Sequence, residues 1–514
     1  MQLVVLNTEQ GAGLWKIKVQ AAGCLNQRIA STGQSYTSLS TRERQMNLIS
    51  FRGMPLRHDF RRRCVRFFAI LVLFPLSTPF LKAQQAAPDP SPPASEKNNP
   101  EFLATADEVL KDMSEITGWK LKTPLKKTMR SREEIHAYVL KQMDDEKDAK
   151  ERYASTRSAE AFGLIPKGFD LENFLVELLT EQIAGLYDPK AHEFYIADWI
   201  APEDQRMVMS HELTHALQDQ QFQIEPWVKA ARPNDDAELA RESVLEGSAM
   251  AGMLDYTLRD KGLKLNELPD IDPGIFVGDL SQTPMLKKAP PFIKDSLMFP
   301  YFSGLAFAMS VLKADGWNGF AGVFARPPAN TQQIMHPELY RAGKVAPPIQ
   351  LELPADFPGK SWTLLEQNYM GEFGWKEILK QFLDEDRAKN LSVGWNGDIY
   401  ATYEWKGTAT RLLLVTRVRF ATPEAAERFF GQYSVALEKK YVDRTNLYRR
   451  PNFFTFDTAG GGVFLRCSGS ECVTLEGGDR AQYLQWMKNI GWEALPEPGP
   501  EKKPTAGAQI KTSR

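Results

Sequence analysis

Cysteine and histidine are both scarce in this chain, with four and six copies in 514 residues. Four cysteines allow two disulfides at most, so stability has to come from packed cores. A chain of 514 residues is too long for one core and is expected to form two domains or three. A strong charge of either sign is also missing. The formal net charge is -2, so no global field draws nucleic acid or an anionic membrane, and a nucleic-acid partner is not expected. Long unbroken apolar runs are missing too. The most apolar stretch, "FFAILVLFPLSTPF", is short and interrupted by Pro75 and Pro79, which argues against a membrane span. The remaining composition, 43% apolar and 25% charged, is that of an ordinary globular protein.

That apolar stretch follows Met54 and the basic segment "PLRHDFRRRCVR", and small residues follow near Ala83, Ala86 and Ala87. Basic, apolar and small segments in this order describe a secretory signal peptide. The expectation is therefore a gene-model artefact over residues 1–53 and a signal peptide over 54–83. A Pro- and Ser-rich flexible linker follows over 84–100. The mature protein is then exported, periplasmic or extracellular, with no stable membrane insertion after cleavage. Cys64 precedes the apolar run and so is misplaced for a lipoprotein anchor. Cys467 and Cys472, in "RCSGSEC", can close a hairpin disulfide in such an oxidising compartment.

In the mature chain, residues 101–165 are charged and helix-patterned. "DLENFLVELLTEQIAGLYDP" reads as a helix ending near Gly185, and "HEFYIAD" alternates like a strand after a turn at Asp188 and Pro189. "PEDQRMVMSHELTHALQDQQF" reads as a helix, with Pro202 in its first turn and Pro226 beyond its end. Another helix is expected from Asp235 or Asp236 to Asp260, and a third around "PYFSGLAFAMSVLKADG". From Ser361 onward, alternating segments and two amphipathic helices predict a small α+β domain over 361–495. Thr422 caps the first of those helices. Residues 496–514 read as a disordered tail.

The chemistry concentrates at Ser210, in "SHELTHALQDQQF". His211 and His215 lie at i and i+4, one above the other on a helix face, where two imidazoles can hold one zinc ion. Glu212 can take a proton from water activated there. With so few histidines, this spacing arises by chance in roughly one such chain in a few hundred. A catalytic zinc needs a third protein ligand and an open position. The following helix carries Glu238, Glu242 and Glu246 on one face. Glu246 sits among Gly247, Ser248 and Ala249, small residues expected to let this helix approach the histidine helix. Glu246 is the expected third ligand, with Glu242 as the alternative. The other of the two would accept a hydrogen bond from a ligand histidine. Asp219 is expected to be solvated or to support the site without binding metal.

"HELTHALQD" followed by "EGSA" resembles the gluzincin group of zinc metallopeptidases, in which two histidines and a glutamate from a following helix hold the zinc. The "EG-x-A" setting is similar to the aminopeptidase branch and implies Glu246. The thermolysin-like spacing implies Glu242 instead. "GLYDPKAHEFYIAD" and "RPPANTQQIMHPELY" resemble a family of secreted, poorly characterised bacterial proteins with the same histidine motif, over about residues 180–340. The resemblance implies an α+β fold: a mainly helical zincin-like metallopeptidase domain over 101–350 with a small edge sheet, then the C-terminal α+β domain. It implies that the strand near "EFYIAD" is an edge strand that pairs with substrate. It also implies that His336 or Tyr301 stabilises the developing oxyanion. The expected activity is hydrolysis of a peptide or protein substrate with Zn2+, with Glu212 as general base. The alternatives are an inactive exported binding or scaffold protein on the same fold, and a zinc hydrolase that is not a peptidase.

Overall fold

The structure, a computed structural model, describes residues 99–143, 146–268, 283–408 and 410–493. The start site, the signal peptide, nearly all of the linker and the C-terminal tail lie outside the described residues. Within them the chain is a mixed α+β protein with two sheets.

The first sheet has three strands, β1 (Lys126–Arg130), β2 (Gly185–Asp188) and β3 (Glu193–Ala197), in the order β1-β3-β2. β1 runs parallel to β3 and β2 runs antiparallel to it. This corrects two expectations. The strand around "EFYIA" is central, because β1 reaches it from far upstream in a segment that reads as helix. The edge beside the histidine helix is β2, whose "GLYD" reads as the end of the preceding helix. That helix stops at Gln182, capped at its start by Asp170.

The histidine helix, Pro202–Phe222, starts with proline at its first turn and ends where Gln223 adopts a left-handed conformation. Every residue from Met207 to Asp219 is buried, so this helix presents no solvent face over its functional stretch. It lies between the first helix (Pro100–Thr117), β2 and the glutamate helix, Asp235–Arg259. Asn234 caps the glutamate helix by accepting from the Ala237 amide. A 35-residue apolar helix, Pro291–Ala325, packs along it and is broken at Gly316, where φ is 61°. This helix has the length and apolarity of a membrane span, yet Leu305, Phe307 and Ala308 are fully buried in the core.

The second sheet has seven antiparallel strands. They are β4 (Trp362–Asn368), β5 (Trp395–Trp405), β6 (Leu412–Phe420), β7 (Thr445–Arg450), β8 (Phe453–Thr458), β9 (Gly461–Ser468) and β10 (Glu471–Gly478), in the order β4-β5-β6-β10-β9-β8-β7. Cys467 and Cys472 face each other across β9 and β10 and form a disulfide. The helix Pro423–Lys440 covers one face, with Thr422 accepting from the Ala425 amide as its cap. The helix Arg480–Asn489 starts from an Asp479–Gln482 capping box.

The helix Glu146–Phe162 crosses the boundary expected between the two regions. Its Ser158 hydroxyl donates to Thr402 at 2.9 Å, and Phe162 stands edge-on to Tyr400 at 5.1 Å. The few apolar residues on this polar helix find their core on the seven-stranded sheet rather than in the helical region.

Candidate metal centre

His211 and His215, one turn apart on the histidine helix, direct their Nε2 atoms at each other across 3.1 Å. The Glu246 Oε2 oxygen comes from the glutamate helix to within 3.1 Å of the His211 Nε2 and 3.5 Å of the His215 Nε2. One donor atom from each residue falls within 4.8 Å of the others. Glu242, one turn earlier, stands outside this set. It is open to solvent on one side, while surrounding protein and the Glu238 and Glu246 carboxylates push its carboxyl up to about 8.

Burial pushes His211 down to about 4, so it is neutral at pH 7. Burial also disfavours charge on His215, but the Glu246 and Glu212 carboxylates outweigh it and carry the ring up to about 9. Glu246 is held well below the ordinary carboxylate range: burial opposes this, but the His215 charge and hydrogen bonds from both histidines prevail. The resting electrostatics are those of a His215–Glu246 ion pair beside a neutral imidazole. Two imidazole nitrogens and one carboxylate oxygen on a common point are a donor set that suits Zn2+ and leaves a coordination position free. The residues present fit the ion.

Of the small residues expected to bring the two helices together, Ser248 does so and Gly247 does not. A side chain at Gly247 would collide with the Gly304 backbone at 2.1 Å, so Gly247 admits the long apolar helix rather than the histidine helix. Contact with the histidine helix is made instead at Ser248, whose hydroxyl accepts from Gln218, and at Gly252, where a Cβ would lie 3.2 Å from the Thr214 hydroxyl. The Gly247–Gly304 crossing has a chemical consequence. Tyr301 lies one turn before Gly304, and its ring stacks on His211 at 6.3 Å. Burial, together with the Glu246, Glu212 and Glu242 carboxylates, pushes the Tyr301 hydroxyl well above its ordinary pKa, so it is a hydrogen-bond donor at any physiological pH.

Glu212 lies beside this set and accepts the Tyr187 backbone N–H of β2 at 2.9 Å. The strand can come this close because residue 185 is glycine. A Cβ there would reach Val208 at 2.4 Å and Glu212 at 3.1 Å. Burial raises the Glu212 carboxyl to about 7, in the range useful to a group that takes and returns a proton near neutrality.

His336 is not brought to the cluster. Its Nε2 is 2.8 Å from Glu372 of the helix Gly371–Phe382, and its Nδ1 is 3.9 Å from Glu338. It ties the end of the helix Thr331–Met335 to the C-terminal region, and among the described residues it makes no contact with the histidine pair. Asp219 is buried and accepts from the Tyr187 hydroxyl at 2.7 Å and the Ile224 amide. It therefore clamps β2 to the histidine helix. Gln218 was missed by the sequence reading. Its Oε1 is 2.8 Å from His215 Nδ1, a partner whose only sequence signal is its place three residues after that histidine.

Residues 363–485 match the model of a family described as a domain of unknown function (DUF8575). The match spans most of the seven-stranded sheet and includes none of the clustered residues. No curated protein and no solved structure matches the chain.

Proposed function

We propose that this chain is an exported zinc-dependent peptidase with a zincin-like helical domain. The observation that carries the reading is the convergence of His211, His215 and Glu246 on one point, with the Glu212 carboxylate beside it. The antiparallel edge strand β2 alongside the histidine helix supports the zincin-like reading of the fold.

In this reading His211, His215 and Glu246 hold the metal. Zinc bound there would polarise a peptide carbonyl and acidify water. Glu212 would accept a proton from the attacking water and return it to the departing amine, a role its raised pKa suits. Tyr301 donates a hydrogen bond to the carbonyl oxygen as negative charge builds on it. An extended substrate lies along the outer edge of β2, where the Tyr187 amide is already directed at the site. His336 has no part in this scheme.

The test uses purified protein, wild type and Glu212→Gln, assayed for zinc content and incubated with a peptide library. Both proteins are expected to bind zinc. Wild type cleaves peptides, and Glu212→Gln is slower by about 100-fold or more. Zinc binding without cleavage by either protein favours a non-catalytic binding protein on the same fold. Failure of wild type to bind zinc at neutral pH overturns the proposal.

A further inference from the structure

We infer that Gln218 is a positioning residue for the metal centre: it fixes the tautomer and ring orientation of His215, so that the His215 Nε2 lone pair is the one offered to an ion. The inference rests on the zinc reading of the cluster, and concerns which part of the chain makes His215 a competent ligand.

The geometry admits one arrangement of the amide. Gln218 is fully buried, and its Nε2 donates to the Leu245 carbonyl at 3.1 Å and the Ser248 hydroxyl at 2.9 Å. Rotating the amide by half a turn would set the Gln218 carbonyl oxygen against the Leu245 carbonyl oxygen, two acceptors with no proton between them. Oε1 must therefore face His215 Nδ1, at 2.8 Å. An amide oxygen only accepts, so Nδ1 must carry the proton, and in the neutral ring Nε2 is left unprotonated toward His211 and Glu246. The Ser248 hydroxyl is itself anchored to the Val244 carbonyl at 2.6 Å, so both ends of the relay are held by the glutamate helix that also carries Glu246. The helix that supplies the third ligand thus also orients the second.

His211 provides the internal contrast. Its Nδ1 is buried and has no hydrogen-bond partner among the described residues. Its Nε2 position depends on packing against Tyr301 and His215. Of the two ligands, only His215 has the ring nitrogen that faces away from the cluster held by a neighbour.

The experiment measures zinc affinity of the full chain by competition with a chromophoric chelator, for wild type, Gln218→Met and Gln218→Glu. Gln218→Met keeps the side-chain volume but removes the acceptor, and its affinity is expected to fall about 10- to 100-fold. Gln218→Glu restores an acceptor toward Nδ1 but loses the donor to the Leu245 carbonyl, and its affinity is expected to lie between those of Gln218→Met and wild type. In zinc-loaded wild type with 15N-labelled histidine, the His215 Nδ1–H proton should exchange slowly with solvent and be visible by NMR. In Gln218→Met it should exchange quickly or vanish. If Gln218→Met does not fold, Ser248→Ala removes one support of the amide while leaving the helix intact, and a fall of a few-fold is expected. Wild-type affinity in Gln218→Met, or equal losses in the Met and Glu variants, overturns the assignment of Gln218 while leaving the zinc site standing. Absence of zinc binding by wild type overturns both.

Discussion

Buried charge is handled differently in the helical region and in the seven-stranded sheet. In the sheet region several buried ions meet their partners directly. Lys440 donates to Glu476 at 2.6 Å, with Tyr433 and Tyr441 completing the set. Arg417 reaches Glu471 at 2.8 Å, and Asp398 accepts from the Met370 and Gly371 amides and the Trp395 indole. In the helical region two histidine nitrogens confront each other at 3.1 Å, with one carboxylate shared between them. Paired burial of the first kind holds an architecture together. Two histidine nitrogens facing each other gain nothing for the fold beyond the His215–Glu246 ion pair, and the arrangement makes chemical sense when a cation sits among them.

Removing Glu246 should break that comparison most severely. Structural zinc sites with four protein ligands contribute about 10–16 kcal/mol, so one ligand is expected to account for about 3–4 kcal/mol of binding. Glu246→Ala should therefore lose zinc affinity by several hundred-fold or more in a chelator competition. Glu242→Ala should stay within a few-fold of wild type. An equal loss in both would move the third ligand back to an open question. On the sheet side, Lys440→Met strands the Glu476 carboxylate, whose side chain is 1% exposed. About 3–5 kcal/mol of stability should be lost in urea unfolding, with zinc affinity unchanged. Lys440→Met with Glu476→Gln, which removes the charge and keeps an acceptor for the tyrosine hydroxyls, should recover most of the loss. If the double variant is no better than the single, the pair is not a self-contained unit.

A smaller effect is expected at the helix crossing that serves the site. Gly247→Ala places a methyl group against the Gly304 backbone, where no flexible side chain can yield. The expected cost is about 1–3 kcal/mol, seen as a lower melting temperature, together with slower peptide cleavage as Tyr301 moves from Glu246. An unchanged melting temperature would mean the two helices are free to separate.

The His211–His215–Glu246 cluster is legible because its geometry is short-range. His211, Glu212 and His215 sit on one helix, so their relation follows from its pitch, and the reach from Glu246 spans two consecutive long helices. Long-range partners were not legible. β1 lies far upstream of β3, and nothing in "KKTMR" announces that it will pair there and turn "EFYIA" into a central strand. Four-residue β2 was too short to separate from the helix before it. Gly247 was noticed, but its neighbour was misassigned, because a glycine marks a close approach without naming what approaches. His336 looked catalytic on resemblance alone. Its partner Glu372 belongs to the C-terminal region, which local pattern does not connect to it. The small α+β character of that region was readable from alternation, and the seven-strand order, with β10 between β6 and β9, was not.

The junction between the two regions supplies the smallest prediction. Asp236, near the start of the glutamate helix, is fully enclosed and accepts from both the amide and the hydroxyl of Thr331. Burial, helped by the Asp398 and Glu372 carboxylates, raises its carboxyl from 3.8 to about 7 despite those bonds. A carboxyl that binds its proton more tightly when folded stabilises the fold fully below its unfolded value. That contribution is lost as pH rises through the folded one. Asp236 should therefore add a stability loss that grows between about pH 4 and pH 7 and is flat above. Asn at this position keeps the acceptor oxygen and cannot ionise. Asp236→Asn is expected to lie closest to wild type near pH 4.5 and to gain on it as pH rises to 8, in urea titrations at both pH values. Zinc affinity should not change, since the substitution lies outside the cluster. A variant that loses ground to wild type as pH rises would mean that Asp236 is held as an anion by its Thr331 bonds. The junction would then handle its charge as the sheet does, by direct pairing, rather than by keeping the carboxyl protonated.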